Sequence, residues 1–566
     1  MLSKYWPLVA ALSLGACTTV STNSTSAPGI VSAADPRAAE AGASILRAGG
    51  SATDAALATL VALTVVEPQS SGIGGGGFLL ASDARGKLDT YDGREEAPAA
   101  ANPEWFFKDG VPMSPRDAVP GGKSVGIPGN VRMMAMAHRA HGKLAWKALF
   151  QPAIGLARDG YVITARMRGM LDRSRDIVTL TPEGRGLFFG ADGEPLPVGT
   201  RVRNPRLAAF LTDLANRGPE TFYVGPNAQA IAATVRTAPR NPAAMTPGDI
   251  AAYDARARAP VCGIYRRHRV CGMGPPSSGA TTVFAILKQL ERFDLTALGP
   301  DSPAAWHLIA ESMRLAYADR DLYLADADFV SVPVAGLTDA DYLARRSALI
   351  ATDRTMANVA AGSPAGARQL ALSPQPIEQG TSHFVATDRA GNVANLTSTI
   401  ESVFGSGLMV NGYFLNNELT DFNIIPSVNG VSVANRVEAG KRPRSSMSPT
   451  IVFAPDGRVR LAVGAAGGAT IIAQVAKAII GVIDWRLTAQ QAIALPVLYS
   501  PGGTVYVEKG SAHEALVPAL VALGHKVEAR GPSFKANAIE WVADAQGKGR
   551  WVGAADPRSE GASIGE

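Results

Sequence analysis

Residues 379–384 read Gln379-Gly380-Thr381-Ser382-His383-Phe384 and separate two halves of different character. A Thr hydroxyl inside a chain is a weak nucleophile. A Thr at a new N-terminus carries its own α-amine, whose pKa of about 8 lets it act as the adjacent base. The hydroxyl of Thr381 could attack the carbonyl of Gly380, where no side chain obstructs it, and hydrolysis of the resulting ester would cut the chain. Thr381 is therefore a candidate self-cleaving nucleophile, although a Thr that begins a strand usually has only a structural role.

The segments upstream of this stretch predict helices, and those downstream predict short strands. Ala-rich or amphipathic patterns indicate helices over 36–48, from Ser51 or Asp54 to Val66, and over 144–159, 205–217, 226–237, 280–291 and 303–321. Strands bounded by turns are predicted over 382–388, 392–398, 450–455 and 458–464, before helices return at 470–482 and 487–494. Residues 359–379, rich in Ala, Gly, Ser, Pro and Gln, predict an exposed, mobile connection that could be cut without loss of the core.

The composition argues against several classes of protein. The chain has 566 residues, 46% of them hydrophobic, and a net charge of +5 that is small for this length. No run of Lys and Arg is interleaved with aromatic residues, so we expect no nucleic-acid partner. The sequence contains neither a CxxC nor an HExxH motif, and its seven His are scattered, so we expect no metal site.

The first residues predict export. Lys4 supplies a positive charge, residues 6–16 form a short apolar run, and Leu14-Gly15-Ala16-Cys17 resembles a bacterial lipobox. We predict a lipoprotein-type signal peptide at 1–16, acylation of Cys17, and a flexible tether at 17–32. The protein would then be periplasmic and held at a membrane through its N-terminal lipid alone, since no other apolar segment is long enough to span a bilayer. The alternative is an ordinary cleaved signal peptide with an incidental Cys.

Cys262 and Cys271 remain as a pair once Cys17 is acylated. They flank the sequence Gly-Ile-Tyr-Arg-Arg-His-Arg-Val, which could form a hairpin with the two Cys facing each other. In an oxidising compartment a disulfide between them is plausible, and two buried free thiols are the alternative.

Motifs on both sides of Thr381 resemble those of γ-glutamyltransferases, from about residue 30 to near the C-terminus. The downstream motifs are Thr381-Ser382-His383-Phe384, Asp388…Gly391-Asn392, Thr397-Ser398-Thr399-Ile400-Glu401, Phe404-Gly405-Ser406-Gly407, Leu415-Asn416-Asn417-Glu418-Leu419-Thr420-Asp421-Phe422, Lys441-Arg442-Pro443-Arg444-Ser445-Ser446-Met447-Ser448-Pro449-Thr450 and Val463-Gly464-Ala465-Ala466-Gly467-Gly468. The upstream motifs are Asp92-Gly93-Arg94-Glu95-Glu96-Ala97-Pro98, Pro275-Pro276-Ser277-Ser278-Gly279 and Ala316-Tyr317-Ala318-Asp319-Arg320. The resemblance is specific because many separate motifs follow one another in the family's order.

The resemblance implies the α+β fold of N-terminal nucleophile hydrolases, a four-layer αββα sandwich. It implies a precursor that cleaves itself before Thr381 into a large subunit, 33–380, and a small catalytic subunit, 381–566. The two subunits would form a heterodimer within one intertwined fold, 33–566, and would need no cofactor.

Four residues carry the catalytic roles that the resemblance implies. Thr381 is the nucleophile, with the cleavage site between Gly380 and Thr381, and Thr399 matches the residue that hydrogen-bonds to it. The backbone N–H groups of Gly467 and Gly468 match the pair that stabilises the tetrahedral oxyanion. Taken alone, the Gly pair would more often be a tight turn between a strand and a helix.

A second set of residues matches those that bind the amino-acid end of a γ-glutamyl substrate. The α-carboxylate needs a cation, and a guanidinium suits it as a bidentate donor, so the resemblance assigns this role to Arg94. The hydroxyls of Ser445 and Ser446 match a pair that also binds the carboxylate. Glu418 and Asp421 match the positions that bind the α-ammonium group.

Three features set this chain apart or add to the family's pattern. Glu401 stands where many members have Asn and some bacterial members have Glu, and its extra carboxylate would serve as a further ligand for the ammonium group. Residues 423–440, which in the family can form a lid with an aromatic tip, contain no Tyr or Trp, so we expect a reduced lid and a more open site. Arg444, beside the Ser pair, adds a positive charge that could bias the choice of donor or acceptor.

The activity implied is ping-pong transfer of a γ-glutamyl group. A γ-glutamyl-Thr381 ester would form from glutathione or another γ-glutamyl compound and pass to water, an amino acid or a peptide. An acylase for glutaryl or cephalosporin-type side chains shares the fold, but Glu418 and Asp421 argue against it, since a glutaryl group has no α-ammonium. The other alternative is an inactive surface lipoprotein with a binding role, against which Thr381, Thr399 and the Gly pair argue.

Overall fold

The computed structural model describes residues 27–373, 380–531, 535–544 and 548–566. Its frame consists of two large sheets. Their strands are, in chain order, β1 (Ile30–Ala33), β2 (Gly76–Ser82), β3 (Leu88–Asp92), β4 (Arg256–Arg258), β5 (Val261–Tyr265), β6 (His268–Gly272), β7 (Ser382–Thr387), β8 (Val393–Thr399), β9 (Thr450–Phe453), β10 (Val459–Ala466), β11 (Lys535–Ala543), β12 (Gly549–Ala555) and β13 (Ala562–Gly565).

The two sheets are antiparallel throughout and lie face to face. The first has the strand order β13-β1-β7-β8-β2-β3-β4, and the second has the order β12-β11-β10-β9-β6-β5. Polar side chains join them: Asn395 of β8 donates to the Thr450 carbonyl at 2.9 Å, and Asn537 of β11 donates to the His383 carbonyl at 2.9 Å. The order places β7, which follows Thr381, in the middle of the structure.

Helices cover the outer faces of both sheets. The principal ones are α1 (Pro36–Arg47), α2 (Ala52–Val66), α3 (Asn130–His141), α4 (Gln151–Asp159), α5 (Pro205–Arg217), α6 (Pro226–Arg236), α7 (Gly279–Leu290), α8 (Pro303–Tyr323), α9 (Thr470–Ile483) and α10 (Ala489–Ala494). Alternate residues of β2 face opposite ways: Leu79 belongs to the apolar core shared with α1 and α2, whereas Phe78 and Leu80 belong to the core shared with the second sheet. The predicted α+β fold, a four-layer αββα sandwich, is confirmed.

The helix α2 shows why the first outer layer forms where it does. All its residues are buried, as its continuous apolar sequence predicts. Ser51 and Asp54, the two predicted capping residues, form a capping box: the Ser51 hydroxyl accepts from the Asp54 N–H at 3.0 Å, and Asp54 accepts from the Ser51 N–H at 2.9 Å. The helix ends at Val66, and the residue that follows it, Glu67, is 3% exposed.

Each large sheet contains strands from both sides of Thr381. The first sheet combines β1 to β4 with β7, β8 and β13, and the second combines β5 and β6 with β9 to β12. A cut before Thr381 would therefore leave the two pieces interlocked through backbone hydrogen bonds in both sheets.

The predicted boundary of the N-terminal tether is wrong by three residues. Ile30–Ala33 forms β1, which pairs with both β7 and the C-terminal strand β13, so residues 30–32 belong to the fold and not to the tether. The predicted signal peptide, 1–16, and Cys17 lie outside the described residues. In the part of the chain that is described, no helix is long and apolar enough to cross a membrane.

The other predicted elements are confirmed with shifts of a few residues at their ends, except that the first turns of predicted helix 144–159 are 3₁₀ helix over Trp146–Phe150. The hairpin predicted around the Cys pair is β5–β6, in which Cys262 and Cys271 are directly opposite and joined by a disulfide. The structure therefore shows the bonded state and not the free thiols. Of the predicted connection 359–379, residues 359–373 are described and mostly exposed or half-buried.

Candidate active site

Thr381 lies immediately before β7 and is 4% exposed. Its hydroxyl donates to the hydroxyl oxygen of Thr399 at 3.2 Å, and the same Thr399 oxygen accepts from the Glu401 N–H at 2.7 Å. The backbone φ of Thr381 is 141°, in a region that a β-branched residue rarely adopts. The structure thus brings Thr381 and Thr399 together as predicted, and it places backbone strain at the candidate cleavage site.

Gly380 lies against the loop that contains Glu401. A Cβ built on Gly380 would stand 1.7 Å from the Glu401 carbonyl oxygen, a distance at which no side chain fits. The sequence suggested Gly380 for access of the hydroxyl to the carbonyl carbon. The structure adds a steric reason, since only Gly allows this close approach of two backbone segments.

Gly467 and Gly468 form the turn between β10 and α9. Their φ angles of 122° and 58° lie in the region that favours glycine. In the described part of the chain, neither N–H group donates a hydrogen bond within the protein. These N–H groups precede the first turn of α9, where the helix dipole favours negative charge. The turn therefore has the donors that an oxyanion needs.

The Gly467–Gly468 turn is joined to the nucleophile strand through one neighbouring residue. Ala466, which precedes the turn, lies directly opposite Lys535 in the second sheet. The Lys535 ammonium donates to the Ser382 hydroxyl at 3.2 Å, and Ser382 follows Thr381. The predicted nucleophile and the predicted oxyanion-binding turn are therefore close neighbours in the fold.

His383 is the titratable ring closest in sequence to Thr381, but its contacts do not make it a base for Thr381. Its Nδ1 lies 2.8 Å from the Thr397 hydroxyl, and its ring packs on Gly464 of β10. Burial lowers the pKa of His383 to about 3, so the ring is neutral. The α-amine that a cleaved Thr381 would carry remains the available base.

Arg94 is completely buried and sits among carboxylates. It forms ion pairs with Glu418 and with Asp421, the latter at 2.5 Å, and donates to the Pro443 and Arg444 carbonyls at 3.1 and 3.0 Å. Burial opposes the charged guanidinium, but the neighbouring carboxylates outweigh it and raise the pKa of Arg94. The structure thus pairs Arg94, the predicted carboxylate-binding cation, with Glu418 and Asp421, the predicted ammonium ligands.

The cluster has more carboxyl groups than cationic groups. Glu95 is buried 3.8 Å from the Arg94 guanidinium, and neither of its oxygens has a hydrogen-bond partner among the described residues. Burial raises the pKa of Glu95 to about 8 and raises that of Glu418 well above its usual range. At neutral pH such carboxyl groups retain protons, and an ammonium group that enters the cluster would favour their charged forms.

Glu401 adds a further carboxyl group to this buried cluster. Its carboxylate accepts hydrogen bonds from the Ser402 hydroxyl and the Asn417 amide, and its charge contributes to the raised pKa of Glu418. The extra carboxylate at position 401 thus lies beside the predicted ammonium ligands.

The Ser pair is held by residues to which the sequence gave no role. The Ser446 hydroxyl accepts from the Arg320 guanidinium at 2.6 Å, and the Ser278 hydroxyl accepts from the same guanidinium at 2.9 Å. Ser278 in turn donates to the Ser445 carbonyl at 2.8 Å, and the Ser445 hydroxyl accepts from the Met447 N–H at 3.1 Å. The signal for Arg320 and Ser278 was their place in two of the upstream motifs.

The guanidinium of Arg444, the positive charge noted beside the Ser pair, has its described partners at the end of a helix and at Asp321. Its side chain is 2% exposed and donates to the carbonyls of Arg320 and Leu324 at 3.3 and 3.4 Å. These carbonyls lie at the C-terminal end of α8, where the helix dipole favours a cation. The guanidinium is therefore directed at a helix end and stabilises the fold.

The segment predicted to be a reduced lid contains a small hairpin. Ser427–Val428 pairs with Val431–Ser432 around an exposed tip at Asn429 and Gly430. The connection upstream of the cleavage site rests on this hairpin, since the Ala371 N–H donates to the Ser432 carbonyl at 3.0 Å. No aromatic side chain is present at the tip.

Comparisons with known proteins find related sequences and structures along nearly the whole chain. A sequence model of the family described as gamma-glutamyltranspeptidase matches residues 38–566. The glutathione hydrolase proenzyme of Bacillus subtilis strain 168 is 36% identical over 550 residues, covering 95% of this chain and 91% of that protein. The acylase ACY 1 proenzyme of Pseudomonas sp. strain SE83 is 34% identical over 549 residues, covering 95% and 93%.

A solved structure shows the same fold. The cephalosporin acylase from Bacillus halodurans matches with a TM-score of 0.83 at 26% identity, over 99% of this chain and 98% of that one. The similar proteins thus include both a glutathione hydrolase and acylases. Their names alone do not identify the substrate of this chain, which depends on the residues of its own site.

Proposed function

The chain belongs to the gamma-glutamyltranspeptidase family, and we propose that it is a self-cleaving hydrolase and transferase of γ-glutamyl amides with Thr381 as its nucleophile. The observation that carries this proposal is the buried cluster of Arg94 with Glu418 and Asp421. A γ-glutamyl group presents an α-carboxylate and an α-ammonium at one end. When the substrate α-carboxylate forms hydrogen bonds with the Arg94 guanidinium, it displaces the carboxylates of Glu418 and Asp421 from part of it. These two carboxylates then become ligands for the substrate ammonium.

Self-cleavage before Thr381 is supported by the geometry of the junction. The Thr381 hydroxyl, positioned by Thr399, attacks the Gly380 carbonyl carbon, the peptide C–N bond breaks, and the acyl group moves to the oxygen. Water then hydrolyses the ester and leaves a Gly380 carboxylate and a free Thr381 amine. The unfavourable φ of Thr381 costs about 1–3 kcal/mol, and the cut releases this strain because the torsion no longer involves a preceding carbonyl.

Acyl transfer then uses the same hydroxyl. The Thr381 oxygen attacks the substrate's γ-carbonyl carbon, and the α-amine of Thr381 takes the hydroxyl proton and passes it to the leaving amine. The N–H groups of Gly467 and Gly468 stabilise the oxyanion of the tetrahedral intermediate. Water, an amino acid or a peptide attacks the γ-glutamyl-Thr381 ester and restores the hydroxyl.

Glutathione and related γ-glutamyl compounds are the proposed donors. The two pieces, ending at Gly380 and beginning at Thr381, would remain a heterodimer because each large sheet holds strands of both. Side chains and backbone groups of the chain perform each of these steps, and the proposal includes no cofactor.

An acylase acting on glutaryl-type amides is the second candidate, since two of the compared proteins are acylases. Hydrolysis of γ-glutamyl p-nitroanilide beside glutaryl p-nitroanilide separates the two, because these substrates differ only in the α-ammonium group. A glutaryl group would displace the same carboxylates from Arg94 without offering them a cation, so kcat/KM should favour the γ-glutamyl compound by at least about 100-fold. A preference for the glutaryl compound would establish the acylase instead.

We further propose that the protein is exported and anchored through an acylated Cys17. The disulfide between Cys262 and Cys271 supports an oxidising compartment. Membrane fractionation of cells that express the wild type or Cys17→Ser tests this. Wild-type protein should be found with membranes and the variant should be released, whereas release of both would leave a cleaved signal peptide as the explanation.

A further inference from the structure

A buried Lys lies beside the nucleophile strand and has no part in the mechanism above. Lys535 begins β11 and is 3% exposed. Its ammonium donates to both carboxylate oxygens of Glu67, at 2.9 and 2.8 Å, and to the hydroxyls of Ser70 and Ser382, at 3.1 and 3.2 Å. A buried lysine is costly unless it is paired, and these contacts supply the pairing.

The hydroxyl of Ser382 is fixed between the two charges. It donates to Glu67 Oε2 at 2.6 Å and accepts from the Lys535 ammonium, and its side chain is completely buried. Burial lowers the pKa of Lys535 to about 8, with Glu67 opposing this shift, while Lys535 and Arg166 outweigh burial and lower the pKa of Glu67. The ion pair is thus held in its charged form at neutral pH.

Neighbours of the same pair lead to the other parts of the catalytic centre. Lys535 lies directly opposite Ala466, which precedes Gly467. The Ser70 carbonyl, one turn beyond Glu67, accepts from the N–H of Ile400, which follows Thr399. One ion pair therefore borders the nucleophile strand, the oxyanion-binding turn and the segment that holds Thr399.

The start of β7 needs such support once the chain is cut. On one side Ser382 pairs with Ser398 of β8, but on the other side β1 pairs only with Val385, Ala386 and Thr387 of β7. A new chain end frays unless it is tied down, whereas catalysis requires its position to be held within about 0.5 Å. Backbone pairing alone secures one side of the new terminus.

We propose that the Lys535–Glu67 ion pair is the positioning element of the processed nucleophile. By holding the Ser382 hydroxyl and bordering Ala466, it fixes Thr381 relative to the Gly467–Gly468 turn without touching the substrate. This inference rests on the proposed function and adds a determinant of the rate of acyl transfer. It predicts effects on kcat and little effect on KM, since the Arg94 cluster binds the substrate.

The test compares four variants with the wild type, using γ-glutamyl p-nitroanilide as substrate. They are Lys535→Met, the double variant Glu67→Gln/Lys535→Met, Ser382→Ala, and the control Lys477→Met, which removes another buried lysine that donates to the Ile493 and Leu495 carbonyls. Rates are divided by the amount of cleaved protein, measured as fragment beginning at Thr381. Tm is recorded for each variant.

We expect kcat to fall at least tenfold in Lys535→Met and at least fivefold in Ser382→Ala, while KM stays within twofold of the wild-type value. In the double variant the neutral Gln removes the unpaired charge, so Tm should recover while kcat stays low. Lys477→Met should keep kcat within twofold even if its Tm falls. Ser382→Ala leaves the ion pair intact, so it provides the answer if Lys535→Met fails to fold.

Two results would overturn the inference. The first is wild-type kcat in Ser382→Ala, and the second is recovery of kcat together with Tm in the double variant, since the ion pair would then serve stability alone. A wild-type protein that cleaves itself but does not turn over the γ-glutamyl substrate would instead refute the proposed function, and the two failures are therefore distinguishable.

Discussion

Replacing Glu418 by Gln tests the ammonium-binding role of the buried cluster, because it removes a carboxyl group that a bound ammonium would hold in its charged form and keeps the shape of the side chain. Arg94 would not be left unpaired: it keeps Asp421 at 2.5 Å and the Pro443 and Arg444 carbonyls at 3.1 and 3.0 Å. The fold should therefore survive the substitution, and the effect should fall on the substrate.

The expected size follows from electrostatics. One carboxylate about 3 Å from an ammonium, at an effective dielectric constant of about 20, contributes about 5–6 kcal/mol. Desolvation of the charges and the remaining carboxylates offset part of this, and truncation of one partner of a buried charge pair costs about 2–5 kcal/mol. We expect a loss of about 2–4 kcal/mol, which is a factor of about 30 to 1,000 in kcat/KM.

The assay compares kcat/KM for γ-glutamyl and glutaryl p-nitroanilide in the wild type and in Glu418→Gln. The γ-glutamyl value should fall by the factor above, while the glutaryl value should change little, because that substrate has no α-ammonium. The glutaryl substrate thus controls for damage to the catalytic centre. A ratio of the two values that shifts by less than about threefold would refute the assigned role of Glu418.

Three further predictions concern the junction, the charge of the site and the disulfide. Gly380→Ala places a Cβ 1.7 Å from the Glu401 carbonyl oxygen, so self-cleavage followed on gels should slow at least tenfold, and an unchanged rate would contradict the close approach. Because burial raises the pKa of Glu95 to about 8, the folded state binds this proton more tightly than the unfolded state. This proton's contribution to the free energy of unfolding is complete below about pH 4 and is lost as the pH rises through about 8. Between about pH 6 and 9, Tm should therefore fall less in Glu95→Gln than in wild type. Parallel Tm profiles of the two proteins would contradict the raised pKa of Glu95. Reduction of the Cys262–Cys271 bond, with a sequence separation of 9, should lower the free energy of unfolding in urea by about 2–3 kcal/mol, and the double Ser variant should be insensitive to reductant.

The features that the sequence predicted best depend on nearby residues. The capping box of Ser51 and Asp54 spans one helical turn, and Cys262 and Cys271 face each other across one hairpin. Such signals lie within a single element, so residue pattern and turn chemistry are sufficient to identify them. The resemblance to the family's motifs also predicted the fold and the proximity of Thr381 and Thr399.

The features that the sequence did not predict depend on contacts between distant segments. Lys535 and Ser382 are 153 residues apart, and Arg320 and Ser446 are 126 apart, so no local pattern connects them. The direction of a long side chain is equally invisible, as Arg444 shows by turning to a helix end. Sequence motifs indicate which residues lie in the same site, but the packing of distant segments decides which of their side chains form hydrogen bonds or ion pairs.

Thr381 becomes a new N-terminus by its own chemistry in the proposed mechanism, and intact-mass spectrometry of purified protein tests this step most directly. Wild-type protein should give two fragments, the smaller beginning at Thr381, while Thr381→Ala should remain one uncut chain. A single uncut chain in the wild type, or the same cut in Thr381→Ala, would contradict the account.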